Sequence, residues 1–274
     1  MPDSVKKEQE ARFIKDVYRA LDVGDVATAD AMLRRAVLIN PKSIEARVAR
    51  GEIFLRLNRY QEAINIFNRL IIENKEPARA NQGLGLANLM MNQLSRGQDA
   101  LEKAVALDDQ LWRAWNGLGF YHDHRKEWAQ SEKCYIAALK ERRDKPSLFN
   151  NRGFSKLMQG RYEEAILDFK AALRLNQNLA IARMNIRLAQ AWLGRYVEAI
   201  AGASQRELPE VLNNVGYIAM LKGEYSAAQA YFSRAMELSP SFNETASNNL
   251  QKLEVIRSQN VSKRSTSKRK TSER

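Results

Sequence analysis

Residues 209–242, PEVLNNVGYIAMLKGEYSAAQAYFSRAMELSPSF, decide the fold, because their small, aromatic and turn-forming residues recur backwards through the chain at a nearly fixed period. Gly216 and Ala228 are small, which lets two short helices approach closely in a ridges-into-grooves contact. Phe232 then fills the seam, by which we mean the contact between this helix pair and the following helix. Pro240 stands where the second helix of the pair must have ended. One pair of helices cannot bury this seam alone, so the stretch predicts a stack of such pairs.

The same spacing of small, aromatic and turn-forming residues, which we call the frame, divides most of the chain into seven units. The first-helix glycine recurs in four other units, at Gly51, Gly85, Gly119 and Gly153. The units are 10–43, 44–77, 78–111, 112–145, 146–179, 180–208 and 209–242. After them, residues 243–257 have apolar side chains at helical spacing, which predicts a capping helix over the last exposed seam. We expect residues 1–9 to be a flexible N-terminal segment and residues 258–274 to be a disordered basic tail.

The sixth unit departs from the frame, because it is five residues shorter than its neighbours. Residues 202–204, Gly-Ala-Ser, stand where the second helix should be bulky. This pattern predicts a truncated second helix between Tyr196 and Leu208 and a local change of superhelical curvature. Arg187 replaces the first-helix glycine, and we expect its long side chain to lean out of the seam.

The fourth unit carries the most complete first helix. Residues 115–119, Trp-Asn-Gly-Leu-Gly, match the W-x-x-L-G signature at its spacing. On this motif the chain resembles the tetratricopeptide repeat family over nearly its whole length. The resemblance implies an all-α fold, an α-solenoid in which seven helix pairs form a right-handed superhelix, followed by the capping helix. It also implies that the first helices line the concave face and offer their inward side chains to a ligand.

The composition is that of a globular chain, with 45% hydrophobic and 28% charged residues. No window approaches the roughly 20 apolar residues of a membrane-spanning helix. The charged segment Met1–Glu10 is not followed by an apolar run, so we expect neither a secretory signal nor a membrane anchor. A single cysteine, Cys134, excludes an internal disulfide and leaves both the cytosol and the periplasm open.

The formal net charge is +12, of which residues 258–274 supply +5. A basic body with a basic tail permits a nucleic-acid-associated function, or a cytoplasmic scaffold that acts through this surface, with salt-sensitive phosphate contacts. The alternative is a solvated end rich in Ser, Thr, Lys and Arg. We favour the solvated end over nucleic acid as a partner, because no aromatic residue interleaves with the tail cations to stack bases.

By the resemblance, the inward positions of units three to seven form a peptide-binding groove that combines amides with large apolar groups. The groove residues are Gln82, Leu86, Met90, Asn116, Phe120, His124, Asn150, Asn151, Phe154, Met158, Asn185, Leu188, Trp192, Asn213, Asn214 and Tyr217. Asparagine amides suit the N–H and C=O groups of a peptide backbone, while Met and aromatic side chains supply adaptable anchor sites. Packing is a poor explanation of the amides, since Asn is a mediocre helix former. For Phe120 and Phe154, partial burial between adjacent first helices is an equal alternative.

A carboxylate clamp, which chaperone-binding members of the family form with Lys, Asn and Arg, does not fit this chain. The corresponding positions are Val48, Glu52 and Gln82, and none of them carries a positive charge. The partner is therefore expected to be a peptide segment that is held by its backbone and apolar side chains rather than by a terminal carboxylate.

Catalytic and metal-binding functions also find little support. His122 and His124 lie at i and i+2 of a helix, where their rings diverge, and no further His or Cys joins them. Cys134 has no paired histidine and is interpreted as a small buried apolar group. Phosphate-binding glycine loops and nucleophile motifs are missing from the sequence. We therefore expect no enzymatic activity, no cofactor and no metal.

The last unit and its cap carry a second resemblance. Residues 212–219, Leu-Asn-Asn-Val-Gly-Tyr-Ile-Ala, and 247–250, Ser-Asn-Asn-Leu, resemble the C-terminal part of the TadD family of tight-adherence (Flp) pilus assembly in bacteria. The resemblance implies an assembly factor that assists the outer-membrane secretin, with the secretin or another secretion-system component as partner. Members are lipoproteins, which implies a periplasmic, outer-membrane-associated place if a signal and anchor precede the given start, and a cytoplasmic place otherwise.

Overall fold

The chain is all-helical over the residues that the structure describes. The computed structural model describes the backbone of residues 3–238 and 243–272 and the side chains of residues 4–238 and 244–259. Those ranges contain fifteen helices and no strand, which confirms the predicted all-α class. The helices are α1 (Asp3–Asp22), α2 (Val26–Ile39), α3 (Ile44–Arg56), α4 (Tyr60–Ile72), α5 (Pro77–Met90), α6 (Leu94–Leu107), α7 (Trp112–His124), α8 (Trp128–Glu141), α9 (Pro146–Met158), α10 (Tyr162–Leu175), α11 (Ala180–Trp192), α12 (Tyr196–Ile200), α13 (Leu208–Leu221), α14 (Tyr225–Leu238) and α15 (Asn243–Ser272).

The helices fall into two compact units, with the boundary between Asp144 and Lys145. The first unit holds α1 to α8 and the second holds α9 to α15. Within each unit, consecutive helices pack on one another and bury a series of small apolar clusters. The core is thus distributed along each stack, as in repeat proteins, where every helix pair contacts its neighbours.

The small and large residues of the frame meet as the sequence predicts. Phe67 of α4 is completely buried, and its ring lies between Gly51 of α3 and Gly83 of α5. A Cβ atom added at Gly51 would lie 2.5 Å from Cζ of Phe67. The aromatic ring therefore fills the seam only because both neighbouring first helices lack a side chain at the contact.

The turn between the two helices of a pair contains one residue in the left-handed backbone conformation. In chain order it is Gly24, Asn58, Asn92, Lys126, Gly160, Gly194 and Gly223, with φ between 58° and 81°. Glycine adopts this conformation freely and asparagine tolerates it. Lys126 is held there at φ 58° against the clash of its Cβ atom, so this turn is the strained one of the series.

The second helix of the sixth repeat is truncated, as the sequence predicts. Helix α12 spans only five residues, Tyr196–Ile200. Arg187, expected to lean out of the seam, is buried, and its Nη1 lies 3.9 Å from Oε2 of Glu207. Five other repeats have glycine at this position. The change of curvature stays a prediction.

Both ends differ from the sequence-based boundaries. Helix α1 begins at Asp3 rather than near residue 10, because residues 6–12 are mainly Lys, Glu, Gln, Ala and Arg, which are good helix formers. Helix α15 continues to Ser272, past the expected end of the cap at residue 257 and through most of the segment expected to be disordered. Within the cap, Ala246 and Leu253 are buried against α13 and α14. The predicted stop at Ser239–Pro240 lies outside the described residues.

Candidate functional site

The candidate site is the first-helix face, which we define by the side chains at the ninth and thirteenth positions of each repeat. These positions are four residues apart, so each pair shares one side of its helix. In the first unit the pairs are Leu86 with Met90 and Phe120 with His124. In the second unit they are Phe154 with Met158, Leu188 with Trp192, and Tyr217 with Leu221.

Two of the pairs in the second unit are exposed. Phe154 and Met158 of α9 are 45% and 57% exposed, and Tyr217 and Leu221 of α13 are 42% and 54% exposed. In contrast, Phe232, which fills a seam, is completely buried. Burial between adjacent first helices therefore does not account for Phe154, and these four large apolar side chains are available to a ligand.

The third pair of the second unit has a different environment. Leu188 and Trp192 are half-buried and pack against a buried cluster that includes Ala191 and Val211. The Trp192 indole stacks on the ring of Tyr162, with centroids 5.9 Å apart and planes within 1° of parallel. These two predicted groove residues thus serve partly as packing residues of the stack.

A groove follows the exposed pair of α13. It has a volume of about 660 Å³ and lies between α13 and α15. Its walls combine apolar surface with a polar rim, from Tyr217, Met220, Leu221, Asn248, Gln251, Lys252, Val255 and Ile256. Sequence reasoning missed the α15 residues of this groove. The frame could have found them, since Gln251 and Val255 lie 34 residues after Tyr217 and Leu221.

The first unit has a smaller exposed apolar patch. Met90 of α5 is 62% exposed and Phe120 of α7 is 40% exposed, whereas Leu86 is half-buried. His124 is also exposed; its ring centroid lies 4.3 Å from that of Phe120, and its Nδ1 lies 3.2 Å from the Phe120 carbonyl oxygen. The histidine therefore covers one side of the phenylalanine ring.

Amides among the predicted groove residues form hydrogen bonds between neighbouring helices of the stack, α9 with α11 and α13 with α15. Asn185 Nδ2 of α11 donates to Asn150 Oδ1 of α9 at 3.2 Å, and Asn249 Nδ2 of α15 donates to Asn213 Oδ1 of α13 at 2.9 Å. Asn185, Asn213 and Asn249 are 4–7% exposed. These contacts correct the interpretation that packing is a poor explanation of the amides, because amides on neighbouring helices of the stack bond to each other.

The remaining amides are also engaged or buried. Asn150 Nδ2 lies 3.5 Å from Asn151 Oδ1, and Asn214 Nδ2 lies 3.7 Å from the Met184 sulfur. Gln82 is 7% exposed, and Asn116 is half-buried and has a contact of its own. The first-helix face thus offers its apolar side chains more openly than its amides.

The early first helices bear an ion-pair network rather than a carboxylate clamp. Glu52 is 4% exposed, and its Oε2 accepts a hydrogen bond from Arg113 Nη1 at 2.6 Å. Arg79 donates to Glu45 Oε2 at 2.6 Å and also contacts the Tyr18 hydroxyl. These arginines neutralise acidic groups of their own stack. Sequence reasoning missed this network. The feature that could have predicted it is the pairing of opposite charges at inward positions: Glu45 and Arg79 are 34 residues apart, and Glu52 and Arg113 are 61 residues apart.

Of the reactive side chains singled out in the sequence, His122 has a hydrogen-bonding partner and Cys134 is buried. His122 Nδ1 lies 2.7 Å from Glu127 Oε2. Burial raises the pKa of the Cys134 thiol to about 11, which keeps it protonated at neutral pH. Among the described residues, no three His, Cys, Asp or Glu side chains are grouped so that they could hold a metal ion. Within the same ranges, none of the helices is long and apolar enough to cross a membrane.

Comparison with known proteins agrees with this architecture. Family models described as tetratricopeptide repeat match residues 20–87, 146–179 and 209–242. The last two matches have the same bounds as the fifth and seventh predicted units. Human protein O-mannosyl-transferase TMTC1 is 23% identical over 247 residues, which are 88% of this chain and 24% of that protein. The chain thus spans about a quarter of the length of this relative.

Two solved structures share the fold. A tetratricopeptide repeat protein from Parabacteroides merdae ATCC 43184 is 14% identical, with a TM-score of 0.52 over 90% of this chain and 99% of that one. A thermophilic TPR protein of Thermus thermophilus is 18% identical, with a TM-score of 0.56 over 69% of this chain and 98% of that one. Three stretches of the chain are thus similar to tetratricopeptide repeats, and the chain shares the fold of these two tetratricopeptide repeat proteins. Such repeats form protein–protein interaction scaffolds, which are in general non-enzymatic and bind protein or peptide partners.

Proposed function

We propose that this protein is a non-enzymatic scaffold that binds a peptide segment of a partner on the first-helix face of residues 145–274. The observation that carries the proposal is the exposure of Phe154 and Met158 on α9 and of Tyr217 and Leu221 on α13. Large apolar side chains that remain exposed at the same repeat positions of α9 and α13 are typical of interaction surfaces. The partner segment is therefore expected to bring apolar side chains of its own.

The main anchor residue of the partner peptide is proposed to bind in the groove between α13 and α15. Its volume of about 660 Å³ is within the range of ligand pockets, which is roughly 300–1,000 Å³. Tyr217, Leu221 and Val255 supply apolar surface, while Gln251 and Lys252 offer hydrogen-bond donors at its rim. This composition fits an apolar side chain that is flanked by backbone carbonyl groups.

The amides have a supporting role in this proposal. The Asn150–Asn185 bond holds α9 and α11 at a fixed spacing, and the Asn213–Asn249 bond does the same for α13 and the capping helix α15. The second bond fixes the distance between the α13 and α15 walls of the groove, and such preorganisation lowers the entropic cost of binding. In the first unit, Met90 and Phe120 form a second, smaller patch of the same kind.

Selection from a random 15-residue peptide library tests the proposal. The full chain is the target, and the affinity of the enriched peptides is then measured for variants. We expect the Phe154→Ala/Tyr217→Ala variant to bind at least tenfold more weakly, since buried aromatic anchors dominate such interfaces. Leu167→Ala is the matched control, because Leu167 is 66% exposed on α10, a second helix. Equal binding by the wild type and the double variant would contradict the proposal.

The finer role that we propose is assembly of a tight-adherence (Flp) pilus, with the secretin or another secretion-system component as the partner. The support is the resemblance of residues 212–219 and 247–250 to that family. Deletion of the gene in its own host should reduce the heat-stable secretin multimers seen on gels, and reintroduction should restore them. Unchanged multimers would overturn the pilus role and leave the peptide-binding proposal standing.

A further inference from the structure

A polar cavity of about 380 Å³ lies between α4 and α6, with α5 at its floor. It belongs to the first unit and shares no residue with the face proposed above. Five of its lining residues are amides, namely Gln61, Asn68, Asn81, Asn88 and Gln93. We call it the amide cavity, because this concentration of amides determines what it can bind.

The third repeat has two asparagines at positions where several other repeats have larger side chains. Asn81 aligns with Trp115, the tryptophan of the W-x-x-L-G motif, at a spacing of 34 residues. Asn88 aligns with Phe54 in the preceding repeat and with His122 in the following one. The third repeat alone has Asn at both positions, and both asparagines line the cavity.

The two asparagines present acceptors to this space. Asn81 and Asn88 are 7% and 5% exposed. Their Nδ2 atoms donate to carbonyl oxygens of their own helix, at 2.8 Å to Pro77 and 2.9 Å to Leu84. Each bond turns the Oδ1 atom away from the helix backbone, and no side chain or backbone group within the described ranges donates to either Oδ1.

These acceptors are open to a ligand in the cavity. Over the described residues, the one fully enclosed side-chain polar atom without a partner is Tyr196 Oη, so both Oδ1 atoms keep access to solvent space. Asn81 and Asn88 thus favour a ligand with two N–H donors at a matching distance.

We propose that the amide cavity binds the main chain of a partner segment in the polyproline II conformation. Asn81 and Asn88 are seven residues apart, which places them about 10.5 Å apart along the helix axis. In polyproline II every third residue faces the same side, and three residues rise about 9.3 Å. The N–H groups of residues j and j+3 can therefore reach both Oδ1 atoms. A β-strand repeats on one side every 6.8 Å or so, which fits less well.

The rest of the lining suits such a segment. Asn68 and Gln93 add amides, which both donate and accept and so complement peptide groups of any sequence. The volume is at the low end of the roughly 300–1,000 Å³ of ligand pockets, and it admits a few extended residues rather than a helix about 10 Å wide. Asp99, Arg96 and Lys103 line the α6 side, so flanking charges of the partner will tune affinity.

The test uses the full ¹⁵N-labelled chain and the blocked peptide acetyl-tetra-alanine-amide, which favours polyproline II. We expect millimolar peptide to shift the side-chain amide signals of Asn81 and Asn88 in a saturable way. The same peptide with N-methylated peptide groups lacks the donors and should cause no such shift. Absence of shifts with the first peptide, or equal shifts with both, would overturn the proposal.

A variant that fills the cavity provides a second test of peptide binding. Asn81→Leu/Asn88→Leu replaces the amides with apolar side chains of similar size, so it should fold and lose the response to the peptide. The matched control is Gln98→Leu on α6, outside the cavity, which should respond like the wild type. Retained binding by the folded double variant would overturn the proposal. The comparison of the two peptides on wild-type protein decides the question if that variant does not fold.

Discussion

Asn249 of α15 donates a hydrogen bond of 2.9 Å to Oδ1 of Asn213 on α13, and both side chains are more than nine-tenths buried. The same contact joins Asn185 to Asn150 one repeat apart. The bond ties the capping helix to the last repeat, next to the groove that contains Tyr217 and Val255. Amides that the sequence offered to a partner thus position the helices that carry the apolar anchors.

We expect Asn213→Ala to lower the free energy of unfolding by about 1–3 kcal/mol, because Asn249 is left buried without its partner. Asn249→Ala should have a similar effect. A double-mutant cycle by chemical denaturation should give a coupling of at least about 0.5 kcal/mol. Asn248→Ala, at an exposed neighbouring position, is the control and should change stability by less than about 0.5 kcal/mol. Strictly additive effects would show that the bond has no energetic role.

Lys126→Gly should stabilise the protein by about 0.5–1 kcal/mol, because glycine removes the Cβ clash at φ 58°. Thermal or urea unfolding measures the change. Lys133→Gly is the matched control: this lysine is exposed within helix α8, and the same replacement there should destabilise by about 1 kcal/mol. Effects of the same sign at both positions would contradict the strained-turn interpretation.

Gly51→Ala should destabilise the protein by about 1–3 kcal/mol through overpacking. The new Cβ would lie 2.5 Å from Cζ of Phe67, and this ring cannot retreat because Gly83 of the next helix touches its other side. Gly51→Ala/Phe67→Leu should recover part of the loss, since leucine is shorter. Arg50→Ala, on the exposed side of the same helix, should be near neutral. A neutral Gly51→Ala would mean that the seam is looser than the structure indicates.

The Glu127 carboxylate should make stability depend on pH. Hydrogen bonds from Arg125, and then from His122, lower the pKa of Glu127. A lowered pKa in the folded state gives stability that is present above the unfolded-state pKa and is lost as pH falls through the folded-state value. Wild type should therefore exceed Glu127→Gln in stability at neutral pH, with the difference vanishing in acid.

The cause of this pKa shift can be tested separately by ¹³C NMR titration of the Glu127 carboxyl group. Arg125→Met removes the larger contribution and should raise the pKa of Glu127 toward its ordinary range. An unchanged titration curve in that variant would assign the shift to another group.

The stacked helix pairs could be predicted from the sequence because their determinants are repeated and local. Gly51, Ala63 and Phe67 recur at one spacing, and the five missing residues of the sixth repeat directly gave the short α12. The extent of α1 and α15 was underestimated, because helix propensity without apolar periodicity gives a weak signal.

The site was harder to predict, because it depends on contacts across repeats. The partner of Asn213 is 36 residues away, in a helix that the frame counts only as a cap. Sequence alone therefore could not distinguish amides that face a ligand from amides that face each other. Likewise, Leu188 and Tyr217 are equivalent in the frame, but α12 is short and the local packing differs, so only Tyr217 is exposed.

Photo-crosslinking tests the central claim most directly. Benzoylphenylalanine would be placed at position 154, 217 or 167 of the full chain, and each protein would be irradiated with a library-selected peptide. Binding on the first-helix face predicts covalent peptide adducts from positions 154 and 217 and none from position 167 on α10. Adducts from position 167 alone, or equal yields from all three positions, would contradict it.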